Sequence, residues 1–203
     1  SRSILYPTLD DINRPFRVFS HRLNTAVSED REIYQEDDDG YYIYLSKTLD
    51  RKYILITMES KITTEIRFLP SESLDEELRI FKPREHGIEY SIGHHANEFI
   101  ILTNKNAKNF KIMTAPDTAF SEEEWKTLIE HNDTVMLNSI DVFENHLVIY
   151  ERTGGLEKIR VMDFRNGETN YLHFPEPTYS LWSTDNPIYY TDRVRYKYTS
   201  LKT

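Results

Sequence analysis

Two adjacent histidines are the residues of this sequence best suited to chemistry. Imidazole can act as a general base or bind a metal, so His94 and His95 are candidates for either role. Neighbouring residues of a β-strand point to opposite faces, and both rings therefore cannot easily reach one ion. We expect one histidine to face a tunnel or an interface between sheets and the other to meet solvent or a hydrogen-bond partner.

An acidic run, Glu36 to Asp39, precedes Gly40 and suggests a cation-binding loop. An EF-hand needs an acidic or amide oxygen at its first position and a carboxylate at its twelfth. With Gly40 at the sixth position, Gln35 is the first residue and Ser46 the twelfth, so the carboxylate is missing. We therefore predict a solvated turn before a strand, with weak calcium binding as the alternative.

The remaining candidates are weaker. The pair Asp141 and Glu144, or the run Glu122–Glu124, could share acid–base work, but nothing in their spacing shows a common cleft, and surface charge is the expectation. Asn132 is the first residue of a glycosylation sequon, but no secretion signal accompanies it. The absence of cysteine excludes disulfides, thiolate nucleophiles and Cys-type zinc sites. We predict no catalytic, cofactor-binding or metal-binding residue in this chain, and no cofactor.

Composition indicates a folded β protein. The chain has 203 residues, 38% of them hydrophobic, with 14 Tyr and 10 Phe, and strands favour such aromatic residues. A net charge of −9 disfavours nucleic acid as a partner. No apolar stretch is long enough to span a membrane, and no signal peptide is visible. We expect a cytoplasmic location, with the periplasm as the alternative.

The elements that must position these residues repeat with a period of roughly 47 residues, which is typical of propeller blades. The predicted first strands are Tyr41–Ser46, Tyr90–His95, Leu137–Val142 and Tyr179–Thr184, whose starts are 49, 47 and 42 residues apart. The second strands are Tyr53–Met58, Glu98–Thr103, His146–Arg152 and Arg193–Ser200. The third are Thr63–Leu69, Phe110–Thr114 and Leu156–Asp163, and the fourth are Leu78–Phe81, Trp125–Ile129 and Thr169–Phe174.

Both ends of the chain are predicted to be incomplete blades. Ile4–Leu9, Phe16–His21 and Glu32–Gln35 correspond to the second, third and fourth strands of a blade. We predict an all-β partial β-propeller with complete four-stranded blades at 37–83, 84–131 and 132–175, flanked by partial blades at 1–36 and 176–203. Such a chain is expected to be a fragment of a larger protein. Its exposed strand edges could cause self-association.

Turn residues support these boundaries. Gly154 and Gly155 predict a tight hairpin, since glycine supplies the positive φ that such turns need, and Gly167 predicts a second turn. Ser121 and Glu124 have the spacing of a capping box, which predicts about one helical turn.

Several separated blocks resemble the propeller domain of the prolyl oligopeptidase family of serine peptidases, and oligopeptidase B (protease II) in particular. The blocks are Tyr53–Leu69, Phe81–His94, Phe99–Met113 and Leu147–Arg160, and the resemblance extends from Asn13–Val18 to Tyr196–Ser200. In that family a seven-bladed propeller covers an α/β-hydrolase domain and admits only short peptides. Oligopeptidase B cleaves after Arg or Lys.

The resemblance implies a function for a parent protein rather than for this segment alone. The family's Ser, Asp and His lie in the hydrolase domain, and no Gly-x-Ser-x-Gly elbow occurs here, so no catalytic residue is carried over. The implied partners are an α/β-hydrolase domain of the same chain and short basic peptides. One alternative is an independent module that binds a protein or peptide. Another is a propeller glycosidase, but the repeated sequence motifs of such enzymes do not occur in this chain.

The first strands of a propeller border its central tunnel. Tyr41, Tyr90, Ile140 and Tyr179 are therefore expected to face or adjoin the tunnel, where an acidic balance could draw basic peptides inward. The competing interpretation is that these side chains pack between blades.

Overall fold

The computed structural model describes residues 3–118 and 121–202. The outermost residues of the first and last predicted blades, 1, 2 and 203, lie outside this part of the chain. The described strands are β1 Ser3–Leu9, β2 Pro15–Arg22, β3 Arg31–Gln35, β4 Tyr42–Lys47, β5 Tyr53–Glu59, β6 Thr64–Pro70, β7 Arg79–Lys82, β8 Tyr90–His95, β9 Glu98–Thr103, β10 Lys111–Pro116, β11 Lys126–Ile129, β12 Val135–Val142, β13 His146–Thr153, β14 Leu156–Asp163, β15 Thr169–Tyr171, β16 Tyr179–Ser183 and β17 Tyr196–Ser200.

The strands form five antiparallel sheets, each of which follows chain order. The first sheet is β1-β2-β3, the second is β4 to β7, the third is β8 to β11, the fourth is β12 to β15, and the fifth is β16-β17. Short connections explain this order, because a tight turn can only return the chain antiparallel to the strand it has just left. The prediction of an all-β chain, with three four-stranded sheets between two smaller ones, is confirmed.

The chain divides into two compact units, Ser1–Tyr90 and Ser91–Thr203. In the first unit Val18, Ile43, Ile56 and Met58 form a core between the first and second sheets. In the second unit a larger core joins the third and fourth sheets; its buried members are Ile100, Leu102, Ile112, Leu137, Val142, Leu147, Ile149 and Met162. None of the described helices is long and apolar enough to cross a membrane.

Only β8, β9 and β14 have both of the predicted bounds; most of the other differences are of one or two residues, and two are of three residues. β11 begins at Lys126 rather than at Trp125. β15 ends at Tyr171 rather than at Phe174, and the ring of Phe174 stacks on the ring of Tyr198, with the centroids 5.2 Å apart. The strand predicted from Arg193 begins at Tyr196. There the Arg195 amide donates to the side-chain oxygen of Asn186, at 2.7 Å, which holds the preceding residues in a loop.

The predicted helical turn exists as a 3-10 helix, Glu122–Glu124, and a second one spans Val27–Glu29. The cap differs from the capping box that was expected. The Ser121 hydroxyl accepts from the amide of Glu123, at 3.3 Å, because a 3-10 turn brings a nearer amide to the capping oxygen.

The hairpin between β13 and β14 is the two-residue turn predicted from its glycines. Thr153 pairs with Leu156, and both turn residues have positive φ, +58° at Gly154 and +81° at Gly155. A turn with two positive φ values matches the right-handed twist of the strands that it joins.

Replacing Gly155 with alanine should therefore weaken this hairpin by about 1 kcal/mol, because a Cβ disfavours positive φ. Gly154→Asn is the matched control and should have almost no effect, since asparagine tolerates the first position of such turns. Native-state hydrogen exchange of the β13 and β14 amides in the full-length protein measures both. Equal losses for the two variants would contradict the conformational explanation.

Candidate functional site

The two predicted histidines contact different partners. His94 is fully buried, with Nε2 3.3 Å from Oδ2 of Asp117. His95 directs its Nε2 to the carbonyl oxygen of Glu144, at 2.9 Å, and its ring stacks on Phe164 with the centroids 3.9 Å apart. The two rings therefore do not form a shared site.

The acidic run before β4 is held by hydrogen bonds within its own turn. The Gln35 amide donates to Asp37, at 2.6 Å, and the backbone amide of Gly40 donates to Asp38, at 2.9 Å. Within residues 3–118 and 121–202, no group of three or more His, Cys, Asp and Glu side chains could hold a metal ion. The sequon asparagine, Asn132, accepts from the amide and the hydroxyl of Thr134, both at 2.8 Å.

Glu36, in contrast, belongs to a buried ion-pair network that the sequence did not predict. Arg84 lies between two carboxylates, with Nη2 2.5 Å from Glu36 and Nε 3.2 Å from Glu65. Arg67 approaches Glu65 at 3.0 Å. Burial alone would raise the pKa of Glu36, but hydrogen bonds from Arg84, the Asp38 amide and Tyr34 outweigh it and hold this pKa below its usual value. The network ties the end of the first sheet to the second sheet.

The side chains predicted near a tunnel take part in packing. The Tyr90 hydroxyl is buried and donates to the carbonyl of Lys82, at 2.8 Å. Ile140 packs against the core of the second unit. The Arg84 guanidinium lies 4.0 Å from the ring centroid of Tyr41, and the ring of Tyr179 lies 4.9 Å from that of Phe174. These contacts favour the packing interpretation for all four.

A polar cluster around Asp141 is the most distinctive group outside these packing contacts. Asp141 lies on β12 and is the one acidic residue within β4, β8, β12 and β16, the first strands of their sheets. Its Oδ2 accepts from the Tyr150 hydroxyl and from Nδ2 of Asn186, both at 2.9 Å. Asn186 belongs to the loop between β16 and β17, so the cluster joins the fourth and fifth sheets within the second unit.

The pKa of Asp141 shifts in the opposite direction to the pKa of several acids that have a cationic or hydrogen-bonding partner. Burial raises the pKa of its carboxyl above the usual value, and the hydrogen bonds from Tyr150 and Asn186 offset only part of this effect. For Asp10, Asp30 and Glu36 the pKa is lowered instead, with a cationic or hydrogen-bonding partner as a cause. Burial and the Asp141 carboxylate raise the pKa of the Tyr150 hydroxyl, which therefore stays a donor at neutral pH.

Two cavities flank this cluster. The first, of about 430 Å³, separates the fourth sheet from β16, and we call it the β16 cavity; its lining includes Ser139, Tyr150, Glu157, Lys158, Tyr179 and Trp182. The second, of about 590 Å³, is formed by Phe143 and the loop that contains Asn186. Tyr150 lines the first cavity and Asn186 the second, whereas Asp141 itself lines neither.

From the sequence, Asp141 and Glu144 were expected to be surface charges, and a shared acid–base site was only an alternative. Glu144 is exposed, and its carboxylate accepts from the neighbouring Asn145 amide, at 3.3 Å, rather than sharing a site with Asp141. The true partners, Tyr150 and Asn186, carry no sequence signal, because their distances along the chain follow from sheet pairing and from a long loop.

Comparison with known proteins agrees with this architecture. Residues 1–203 match the family model for the N-terminal β-propeller domain of prolyl oligopeptidase. The chain belongs to the prolyl oligopeptidase family. The five sheets are therefore blades, whole or partial, of this family's propeller, and the predicted propeller fold is confirmed.

Two curated members of the prolyl oligopeptidase family match most of the chain. One, named dipeptidyl aminopeptidase BI, from Pseudoxanthomonas mexicana, is 36% identical over 92% of this chain and 26% of its own length. The other, named protease 2, from Moraxella lacunata, is 32% identical over 98% of this chain and 28% of its own length. The chain thus spans about a quarter of the length of these relatives.

Solved members of the family have the same fold. Oligopeptidase B from Trypanosoma brucei, in a closed form with covalently bound antipain, matches all of this chain with a TM-score of 0.91 and 26% identity. Oligopeptidase B from Leishmania major also has a TM-score of 0.91, at 28% identity. Each match covers 30% of the solved chain.

Proposed function

We propose that this chain is the substrate-gating propeller segment of a serine oligopeptidase similar to oligopeptidase B. The observation that carries the proposal is the TM-score of 0.91 over the whole chain with oligopeptidase B from two organisms. The partner of the segment is an α/β-hydrolase domain of the same parent chain, which supplies the Ser, His and Asp.

The proposal assigns peptide cleavage to the hydrolase domain and the exclusion of folded proteins to the propeller. Acyl transfer by a serine peptidase needs a nucleophile, a base and an oxyanion hole. The sequence has no Gly-x-Ser-x-Gly elbow to present a nucleophilic serine. The buried histidine, His94, contacts Asp117 and the ring of Phe99. Close-packed blades instead provide a rigid wall. In this proposal the wall excludes folded proteins, and the parent protein cleaves short peptides after Arg or Lys.

The full-length protein tests this directly. A fluorogenic peptide with a blocked amino terminus and an Arg-Arg end should be hydrolysed, and its analogue with neutral citrulline in place of both arginines should not. The same Arg-Arg sequence placed in a loop of a stable folded protein should stay intact until that protein is unfolded. The absence of turnover of this peptide and of its version with a free amino terminus would favour an independent binding module, and rapid cleavage of the folded substrate would contradict gating.

A second candidate activity comes from the 36% identical relative named dipeptidyl aminopeptidase BI. An enzyme of that kind requires a free amino terminus two residues before the cleaved bond. Comparing free and blocked versions of one Arg-Arg peptide separates the two activities, because only an oligopeptidase accepts both. The cytoplasmic location and self-association through strand edges stay predictions.

A further inference from the structure

The turn between β14 and β15 contains the one Asn-Gly pair of the sequence, Asn166 and Gly167. An asparagine followed by glycine is especially prone to lose its side-chain amide, because glycine has no Cβ to hinder attack by its own backbone nitrogen. Both residues are exposed, and Gly167 has a φ of +73°. The turn therefore combines the residue types and the access to water that this reaction requires.

The reaction is an intramolecular attack that needs neither a catalyst nor a cofactor. The backbone nitrogen of Gly167 bonds to Cγ of Asn166, the bond from Cγ to Nδ2 breaks, and ammonia leaves with the amide proton of Gly167. Water then opens the resulting cyclic imide at either of its carbonyl groups. The products are aspartate and isoaspartate, and isoaspartate lengthens the backbone by one methylene group.

The folded turn holds both reacting groups. The Gly167 amide donates to the carbonyl oxygen of Asp163, at 2.8 Å, and the side-chain oxygen of Asn166 accepts from the Glu168 amide, at 2.9 Å. The attacking nitrogen must lose its proton, so its hydrogen bond to Asp163 has to break. The Asn166 side chain must also rotate to bring Cγ to bonding distance, which disturbs its bond to Glu168. The closed turn therefore disfavours the reaction, and an open turn permits it.

The Asp163 side chain strengthens the closed turn. Its Oδ1 accepts from the backbone amide of Arg165, at 2.8 Å, and its Oδ2 lies 2.5 Å from Nη2 of the same residue. Hydrogen bonds from Arg165 hold the pKa of Asp163 below its usual value, so the group is ionised at neutral pH and is a strong acceptor. Removing this carboxylate should make the turn open more often.

The strand after the turn is suited to local opening. β15 has three residues, Thr169–Tyr171, and all of them are exposed. Among the described strands it pairs with β14 alone, at the edge of its sheet. Short edge elements with few buried contacts open at a lower free energy than central strands. The hairpin can therefore expose its turn without unfolding of the whole sheet.

We propose that Asn166 is a site of spontaneous conversion to isoaspartate, and that opening of the β14–β15 turn, which Asp163 restrains, sets the rate. The product cannot restore the turn, because the added methylene group shifts Glu168 out of register with Asp163. The Tyr171 hydroxyl then loses its place beside Glu151, a fully buried carboxylate to which it donates at 2.9 Å. Chemical ageing of an exposed turn thus weakens the interior of the fourth sheet, whether or not the parent protein is a peptidase.

The experiment incubates the full-length protein at mildly alkaline pH, either folded or unfolded in guanidinium chloride. Peptide mass spectrometry that resolves isoaspartate from aspartate follows Asn166. Conversion in the unfolded protein should be faster by about tenfold or more, the effect of the two hydrogen bonds that hold the reacting groups. Folded Asp163→Ala should react about tenfold faster than the folded wild type, and the two should react equally fast when unfolded.

Asn138, which Ser139 follows, is the control within the same chain. It is exposed and its amide donates to Glu157, at 2.8 Å, but the Cβ of serine hinders the attack, so conversion should be slower in both states. Asn166→Ser keeps a side-chain acceptor for the Glu168 amide and abolishes the reaction at this position. After the same incubation the wild type should lose hydrogen-exchange protection in β14, and this variant should keep it.

Conversion of Asn166 no faster than that of Asn138 in guanidinium chloride would overturn the site. Equal rates in the folded and the unfolded protein would show that turn opening does not set the rate, and an unchanged folded rate in Asp163→Ala would show that this carboxylate does not restrain the turn. If the converted protein keeps full exchange protection in β14, the proposed effect on the interior of the sheet is wrong.

Discussion

Arg84→Ala should destabilise the protein by about 3 kcal/mol, which is among the largest losses expected from one substitution here. The variant leaves Glu36 and Glu65, each 4% exposed, without their shared guanidinium. Two carboxylates in a site closed to water then repel each other. Arg67 can still pair with Glu65, at 3.0 Å, and so moderates the loss.

Native-state hydrogen exchange of the β3 and β6 amides in the full-length protein measures this effect. Arg79→Ala is the control, because its guanidinium is half exposed and 3.8 Å from Glu76, a pair worth little. Adding Glu36→Gln to Arg84→Ala should restore part of the stability by removing one unpaired charge. A loss no larger than that of Arg79→Ala would show that the network contributes little.

The pH dependence of this loss has a definite sign. The pKa of Glu36 is lowered in the folded protein, so its stabilising contribution is present above the unfolded pKa of about 4.5 and is lost as pH falls through the folded pKa. In Arg84→Ala, burial without a cation raises the pKa of Glu36. The stability difference between the two proteins should therefore shrink on acidification.

Gly93→Ala should be the second large effect, with a cost of roughly 3 kcal/mol from overpacking. A Cβ built on Gly93 lies 2.4 Å from Cγ2 and 3.0 Å from Cβ of Val142. Gly93 lies on β8 and Val142 on β12, so these first strands of the third and fourth sheets approach more closely than any side chain at position 93 permits. Val142 is 4% exposed and packs within the core of the second unit, so its movement would disturb other buried side chains.

The double variant Gly93→Ala with Val142→Ala tests the steric origin. Val142→Ala alone should also destabilise the core, yet the pair should cost less than the sum of the single losses, because the smaller side chain makes room for the new methyl group. Ser91→Ala, on an exposed position of the same strand, is the control. Native-state hydrogen exchange of the β9 and β13 amides in the full-length protein measures the losses of stability. If the loss in the double variant equals the sum of the two single losses, the steric explanation is wrong.

Much of the fold could be predicted from the sequence because its signals are local. β8, β9 and β14 have the predicted bounds, since short runs of strand-forming residues and adjacent turn residues define a strand without reference to distant segments. The prediction was less accurate for β17, where Asn186 binds the Arg195 amide and shortens the strand. That hydrogen bond depends on the path of a loop, which no periodic pattern records.

The candidate site shows the same limit. Asp141 was expected to be a surface charge, whereas it is half-buried and accepts from Tyr150 and Asn186, which are distant in sequence. Glu36 was interpreted as one of four solvated acids, whereas Arg84 makes it a buried ion-pair partner, at 2.5 Å. Each error concerned which distant side chain supplies the counter-charge or the hydrogen bond.

The sequence by itself determined the all-β class, the repeating unit and the family, since these depend on strand periodicity, turn residues and blocks that persist along the chain. Only the tertiary structure decided the chemistry of individual carboxylates. A pKa depends on burial and on charges within a few ångströms. Those neighbours come from other strands and loops, so folding gives Glu36 a cation and gives Asp141 two neutral donors.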